Sequence, residues 1–257
     1  MTDVLTAQGY PAAHGSPDGE PSCSEESPAR LEESYGARFQ AWLAGLAHPY
    51  LGGDPVELGS GRGDRVRTWL DLGVTRITLG EPDRARRDGL ARRFGADPQV
   101  RVCDLDLGDP ESLPGASYTA LVSCGVLSRV SDPAASLRAA YRLCGPGAYV
   151  VTVVPALGRV GRHPGRESGL PRRFTRASLA QAYDDAGIPV ERVRYVNAPG
   201  LLGQYLSGTA LGRVPGHELL ATVWDRTLVP LARRVERRLW PPFGQVVHAV
   251  GRVPGRR

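Results

Sequence analysis

The chain has 257 residues, enough for one α/β domain of ordinary size together with a tail. Its formal net charge of +5 is carried by arginine alone, because none of its 32 basic residues is lysine. The absence of lysine excludes a pyridoxal phosphate aldimine and a Schiff-base nucleophile. The arginines are scattered among acidic residues, and the densest group, residues 84–87, lies on a predicted helix, so we predict no nucleic-acid partner.

Cysteine spacing and hydropathy indicate the cellular compartment of the protein. Cys23, Cys103, Cys124 and Cys144 have neither C-x-x-C spacing nor a nearby histidine, which predicts no metal site and no disulfide framework. No apolar run approaches the roughly 18 residues of a membrane span. The first residues also lack the charged-then-apolar order of a signal peptide. We therefore predict a cytoplasmic protein with no membrane partner.

The first residues differ in composition from the rest of the chain. Residues 1–33 are rich in small and acidic residues and have few large apolar ones, so we predict a disordered tail, followed by one domain over residues 34–257. From Tyr35 apolar residues recur at helical spacing, and the helix should end before Pro49. This helix either covers one edge of a ligand cleft or is an ordinary packing helix.

A glycine-rich turn follows the first predicted strand, which begins at Pro55. Three alternating glycines, in Glu57-x-Gly59-x-Gly61-x-Gly63, allow positive φ angles and a close approach of ligand to backbone. The third glycine of a dinucleotide fingerprint is replaced by Asp64, which disfavours NAD and FAD. A Walker A site is also disfavoured, because it requires a lysine. The pattern predicts a cradle for another ligand.

Strands and helices then alternate along the chain. We predict helices over residues 65–72 and 83–94 and strands over residues 74–79, 99–104 and 118–124. Glu81 follows the second strand about 20 residues after the glycines, where an acid can accept both hydroxyls of a ribose. Two further acids, Asp104 and Asp106, follow the third strand.

The second half of the chain continues the alternation. Asp132 and Thr175 are predicted to cap helices that reach residues 142 and 186, and strands are expected over residues 148–155, 189–196 and 243–253. Residues 197–240 form a mostly helical insertion, which either covers a second ligand pocket or serves as a packing or dimer helix. The whole pattern predicts a doubly wound α/β fold with a seven-stranded, mostly parallel sheet.

Residues 35–253 resemble class I (Rossmann-like) methyltransferases that use S-adenosylmethionine (SAM). The resemblance lies in the acid and glycines of residues 57–63, the acids after the third strand, the strand at residues 118–124, and the turn at residues 142–147. It implies SAM as the cofactor. The cofactor-binding residues that it implies are Tyr35, Arg38, Glu57, Gly59, Ser60, Gly61, Gly63, Glu81, Pro82, Asp106, Leu107, Ser123 and Cys124, with Asp104 as the competitor of Asp106.

The acceptor side departs from the family pattern. A common V-L-E-H segment reads Val126-Leu-Ser-Arg129 here, and two further positions that carry histidine in related sequences hold Leu157 and Leu170. The remaining candidates for a catalytic base are Tyr118, Tyr149 and His163.

Three functions are compatible with this pattern. The first is a methyltransferase acting on a small molecule of secondary metabolism. The second is a SAM cyclase of the same fold, which releases methylthioadenosine and a cyclic amino acid. The third is a non-catalytic protein that senses SAM or acts as a scaffold. The sequence leaves the oligomeric state open.

Overall fold

The computed structural model describes residues 36–109, 117–156, 172–201 and 217–255. Seven strands form one sheet in the order β3-β2-β1-β4-β5-β7-β6, with β7 antiparallel to its neighbours β5 and β6 and the other pairs parallel. The predicted doubly wound fold is therefore confirmed. Neither the predicted tail nor its boundary near residue 33 can be compared with the structure, because both lie outside the described residues.

The elements follow the predicted alternation. The strands are β1 (Pro55–Leu58), β2 (Ile77–Gly80), β3 (Val100–Cys103), β4 (Tyr118–Cys124), β5 (Cys144–Pro155), β6 (Val190–Val196) and β7 (Val246–Arg252). The helices are α1 (Ala37–Ala47), α2 (Val66–Asp71), α3 (Arg84–Phe94), α4 (Pro133–Leu143), α5 (Arg176–Asp185) and α6 (His217–Val235).

Predicted helix caps are confirmed, while one strand starts earlier than predicted. The Asp132 carboxylate accepts the backbone N–H groups of residues 134 and 135, and Thr175 forms a capping box with Ser178. β5 begins at Cys144, directly after α4, and not at residue 148. The turn predicted at residues 142–147 therefore lies partly inside β5. The register of the pairing with β4 shifts between Tyr118 and Ala120, which accommodates the extra residues of β5.

The core has two layers, one on each face of the sheet. All four residues of β1 are buried, and so is the run from Val150 to Val154 in β5, as expected of strands covered on both faces. One face packs against α4 and α5, and the other packs against α1, α2, α3 and α6. Within the described ranges no helix has the length and hydropathy needed to cross a membrane.

Helix α6, from the predicted insertion, packs onto α1. Val229 and Ala232 are buried against this side of the core. The Asp225 carboxylate accepts the N–H groups of Arg38 and Phe39 at 3.0 Å each, so a residue of α6 caps the amino end of α1. The described side chains of α6 thus behave as those of a packing helix, whereas covering of a ligand pocket by the insertion stays a prediction.

We expect Asp225→Ala to lower the free energy of unfolding by about 0.5–2 kcal/mol, as loss of a helix cap typically does. Two N–H groups of α1 would lose their acceptor. Chemical denaturation monitored by circular dichroism measures the change. Asp225→Asn keeps one acceptor oxygen, so its free energy of unfolding should lie between those of wild type and Asp225→Ala. An unchanged denaturation midpoint for Asp225→Ala would contradict the assigned cap.

Candidate functional site

The loop after β1 is fastened to the end of β2. The N–H groups of Gly59 and Ser60 both donate to the carbonyl of Gly80, at 2.8 and 3.1 Å. The Ser60 hydroxyl donates to the carbonyl of Glu57 at 3.1 Å, and Gly63 N–H donates to the carbonyl of Ser60 at 2.9 Å. Hydrogen bonds within the protein therefore hold the conformation of this turn.

Two of the loop glycines have different surroundings. Gly61 and Gly63 both have positive φ angles, of 57° and 70°. A Cβ on Gly63 would lie 2.7 Å from the Phe94 ring, so this glycine allows α3 to pack closely. A Cβ on Gly61 would have no neighbour within 4 Å, because this residue lines an open cleft. The backbone at Gly61 is therefore exposed to a ligand.

The cleft has a volume of about 360 Å³ and lies at the carboxyl ends of β1, β2 and β4. This edge of a doubly wound sheet is where ligands bind. Its lining includes the predicted residues Gly59, Ser60, Gly61, Glu81, Pro82, Asp106 and Leu107, and also Gln40, Arg62, Asp64, Arg65, Arg86, Gly108, Val126, Arg129, Val130 and Ser131.

A buried ion pair lies beside the loop. Arg65 Nε donates to Glu57 Oε1 at 2.6 Å, and Arg65 Nη1 donates to Gln40 Oε1 at 2.8 Å. Glu57 is fully buried, which raises the pKa of its carboxyl, whereas the charge of Arg65 acts to lower it. Glu57 does not line the cleft, but Arg65 does, so Arg65 presents the positive charge to a ligand.

Glu81 connects the loop to the second strand. Its Oε2 accepts the N–H of Gly61 at 2.8 Å, and its Oε1 accepts the N–H of Asp83 at 3.2 Å. The side chain is 4% exposed and lines the cleft. A carboxylate has about four acceptor sites, so both oxygens retain capacity for a ligand hydroxyl.

The structure separates the two acids that follow β3. The Asp104 side chain is 67% exposed and pairs with Arg87 Nη2 at 3.0 Å. Asp106 lies in the cleft with Leu107, and its Oδ1 accepts the N–H of Gly108 at 2.7 Å. This placement favours Asp106 over Asp104 as a ligand contact.

The end of β4 carries two predicted residues that are buried. Ser123 and Cys124 are 1% and 5% exposed, and Ser123 pairs in register with Leu58. The hydroxyl of Ser123 and Oε2 of Glu57 have no hydrogen-bond partner among the described residues. Buried polar atoms are nearly always satisfied, so both are groups that a ligand or ordered water can complete.

The structure does not bring the two predicted tyrosine bases to the cleft. Tyr118 is the first residue of β4, and Tyr149 pairs with Ala120 near the start of that strand. Tyr149 precedes the level of Ser123 by three residues, roughly 10 Å along the sheet. Its ring instead contacts Tyr50 and Arg252. Both tyrosines lie toward the amino ends of the strands, too far from the loop to act as its base.

Three other predicted site residues are not found in the described lining of the cleft. Arg38 is exposed on α1 and is not among the described residues that line the cleft, where Gln40 of the same helix is found instead. Tyr35 and His163 lie outside the described residues. Sequence analysis did not identify Gln40 or Arg65, although Arg65 lies two residues after the last loop glycine and could have been paired with the acid at Glu57.

We expect Gly61→Ala to reduce cofactor affinity by tenfold or more while the protein stays folded. The new methyl group would project into the cleft, and the positive φ would add only about 1 kcal/mol of strain. Gly63→Ala is the contrasting variant, because its methyl group would collide with Phe94 and Leu90 and lower Tm. Calorimetry measures cofactor affinity and thermal unfolding measures Tm for both variants. If both variants lost affinity and stability to the same extent, the different roles assigned to the two glycines would be contradicted.

Comparison with known proteins agrees with this geometry. A family model described as a methyltransferase domain matches residues 56–152, from β1 into β5. Among curated protein sequences, none matches this chain.

Solved structures share the fold at low sequence identity. A complex of the Trm112 methyltransferase activator with a methyltransferase from Haloferax volcanii matches with a TM-score of 0.60 and 20% identity, over 90% of this chain and 94% of that one. Geranyl diphosphate C-methyltransferase from Streptomyces coelicolor A3(2) matches with a TM-score of 0.58 and 18% identity, over 91% and 88%. The [4+2]-cyclase SpnF matches with a TM-score of 0.58 and 16% identity, over 86% and 82%.

The cleft fits SAM, the cofactor of class I methyltransferases. The open side of Gly61 admits a ligand against the backbone, and Arg65, Glu81 and Asp106 supply one cation and two hydrogen-bonding acids around it. The unpaired oxygens of Glu57 and Ser123 lie at the same strand ends. The matched methyltransferase domain at residues 56–152, the strand order and the cleft agree, so this part of the chain is a methyltransferase domain with the class I fold.

Proposed function

We propose that the protein transfers a methyl group from SAM to a small molecule whose nucleophilic atom arrives already activated. The observation that carries this proposal is the cleft wall after β4, formed by Val126, Arg129, Val130 and Ser131. This described wall contains neither a carboxylate nor an imidazole. No carboxylate or imidazole of this wall can therefore remove a proton from an acceptor.

Each cleft residue has a proposed role in holding the cofactor. Arg65, held by Glu57 and Gln40, would bind the carboxylate of the methionine part of SAM. From the sequence, Tyr35 and Arg38 are the predicted cofactor contacts of this part of the chain. Glu81 would accept the ribose hydroxyls, and Asp106 with Leu107 would contact the adenine. Ser123 and Cys124, at the end of β4, remain candidates for the region of the sulfonium.

The reaction chemistry places few demands on the protein. When bound, SAM supplies an electrophilic methyl group on a sulfonium. The chain would contribute alignment of the acceptor and exclusion of water, which together can account for most of the acceleration of such a transfer. Gln40 and the backbone of the glycine loop, fastened to Gly80, would fix one wall of the cleft. A thiolate, carboxylate, neutral amine or stabilised carbanion can react without a base.

The size of the cleft supports a small acceptor. The cleft lined by the described residues has a volume of about 360 Å³, which lies within the range of ordinary small-molecule pockets. One structural relative is geranyl diphosphate C-methyltransferase, whose structure contains geranyl diphosphate, a small molecule. We infer a small-molecule acceptor, and propose secondary metabolism as its origin. His163, outside the described residues, stays a candidate base for an acceptor that needs one.

The same cleft bears on the cyclase alternative. Closing a cyclopropane from SAM requires removal of a weakly acidic Cα proton, and hence a strong base. The described wall after β4 supplies none. Closure to an azetidine through the amine needs no such base, so the cyclase remains the second candidate.

The deciding experiment is to incubate purified protein with SAM, alone and with acceptors bearing thiol, carboxylate, amine or activated carbon groups. We expect SAM to be stable alone and S-adenosylhomocysteine to form only with an acceptor. Chromatography of the adenosyl products distinguishes the outcomes. Rapid, protein-dependent methylthioadenosine from SAM alone would identify a cyclase. Tight SAM binding with no product from any acceptor would favour the sensing or scaffold function.

A further inference from the structure

A second, smaller cavity lies between α1, β6 and α6, separate from the cofactor cleft. It has a volume of about 90 Å³ and is lined by Trp42, Gly45, Leu46, Arg194, Val196, Arg233, Glu236 and Arg237. None of these residues lines the larger cleft. The cavity holds space for several water molecules, and hence for one tetrahedral oxyanion.

The cavity gathers three arginines around one acid. The Glu236 carboxylate is directed toward the backbone after β6, where its oxygens accept the N–H groups of Asn197 and Ala198 at 2.9 Å each. Within the described ranges Arg194, Arg233 and Arg237 form no ion pair with an Asp or Glu side chain. The lining therefore has an excess of positive charge.

One guanidinium group is incompletely satisfied. Arg194 Nε is buried and has no hydrogen-bond partner among the described residues. Burial, followed by the nearby charge of Arg192, lowers the pKa of Arg194. Its neighbour in β7, His248, is also buried, and burial lowers the pKa of its ring to about 3, so the ring is neutral at neutral pH and adds no positive charge. An unpaired donor beside like charges is unfavourable without an acceptor.

Arg233 lies in the last turn of α6, and Arg237 lies in the turn that follows the helix. Arg233 Nη2 lies so close to α1 that a Cβ on Gly45 would be 3.4 Å away. Arg237 is exposed, which gives solvent access to the cavity. Arg194, Arg233 and Arg237 all line this cavity, and the planar donor fork of arginine suits the oxygens of a tetrahedral oxyanion, which it binds in pairs.

We propose that this cavity is a binding site for a free inorganic oxyanion of the phosphate class, held by Arg194, Arg233 and Arg237. Such an ion would supply an acceptor for Arg194 and tie the end of α6 to β6. Helix α6 also caps α1, and α1 supplies Gln40 to the cofactor cleft. The ion would therefore stabilise the packing of α6 against α1, the helix that carries Gln40.

The test measures binding of inorganic phosphate to the full-length protein by calorimetry and by Tm, against sodium chloride of equal ionic strength. We expect one saturable site and a rise in Tm of roughly 2–6 °C at five to ten times Kd. Arg233→Gln and Arg237→Gln should each weaken binding about tenfold or more. Arg234→Gln is the matched control, since this exposed arginine of the same helix does not line the cavity.

Arg233→Gln and Arg237→Gln should fold even where Arg194→Gln does not, because Arg237 is exposed and Arg233 is only half-buried. Equal weakening by Arg234→Gln, or a rise in Tm that chloride reproduces, would overturn the proposal in favour of general ionic screening. Glycerol 3-phosphate should bind more weakly than phosphate, because the cavity is small. Tighter binding of this ester would overturn the assignment to a free ion.

Discussion

Replacing Arg65 by leucine should destabilise the protein by about 3–5 kcal/mol, because it leaves the charge of Glu57 buried without its partner. The carboxylate is fully buried, and Arg65 Nε lies 2.6 Å from its Oε1. Leucine fills part of the vacated volume but provides no donor. Urea denaturation at neutral pH measures the loss, and SAM affinity should fall with it, because Arg65 lines the cleft.

The pH dependence of this variant follows from the sign of the Glu57 shift. Burial raises the pKa of Glu57 in the folded protein, and removal of Arg65 removes an influence that opposes this rise. A group with a raised folded pKa binds protons more tightly when folded, so its burial becomes more unfavourable as pH increases through that pKa. The deficit of Arg65→Leu relative to wild type should be largest at neutral pH and shrink as pH falls.

The double variant Glu57→Gln/Arg65→Leu provides the control. It removes the uncompensated charge as well as its partner, so it should be more stable at neutral pH than Arg65→Leu alone and should lose the pH-dependent deficit. A double variant as unstable as the sum of the two single variants would show that the pair is not energetically coupled. The assigned role of Glu57 as the support of Arg65 would then fail.

The sequence predicted the frame of the site better than its side-chain contacts. Strand and helix periodicity with glycine spacing are local properties, so β1, the loop and the acid at Glu81 could be placed in order along the sheet edge. The contacts of Arg65 with Gln40 and Glu57 join three elements, and only the folded chain brings them together. The sequence likewise predicts Arg38, which lies two residues from Gln40 and therefore on a different face of α1, exposed where Gln40 is buried.

The two predicted tyrosine bases lie away from the cleft, because a motif match does not show how far along its strand a residue lies relative to the cleft. Tyr118 begins a strand whose last residues approach the cleft, and Tyr149 lies at the level of the first residue of β1. Side chains in a parallel sheet reach a ligand only from the carboxyl end. The cap that Asp225 provides to α1 was likewise hidden, since its partners are 186 and 187 residues away.

Glu81→Ala should weaken binding of SAM and S-adenosylhomocysteine by about 2–4 kcal/mol, or roughly 30- to 1000-fold. The substitution removes the acceptors proposed for the ribose and releases the N–H of Gly61, which Oε2 holds at 2.8 Å. Glu81→Gln should give an intermediate loss, because it keeps one acceptor oxygen without the charge. Asp104→Ala, a removal of equal charge at an exposed site, should change affinity less than twofold.

Loss of ribose contacts can be separated from loss of loop support by changing the ligand as well as the protein. S-adenosylhomocysteine and its 2′-deoxy analogue differ by one hydroxyl, while the loop is the same for both. If Glu81 accepts that hydroxyl, its removal should weaken binding to wild type by tenfold or more and hardly affect binding to Glu81→Ala. Calorimetry of the four combinations gives the coupling. If the hydroxyl contributes equally to both proteins, Glu81 acts only through its bonds to Gly61 and Asp83, and the ribose must be held by another residue of the cleft.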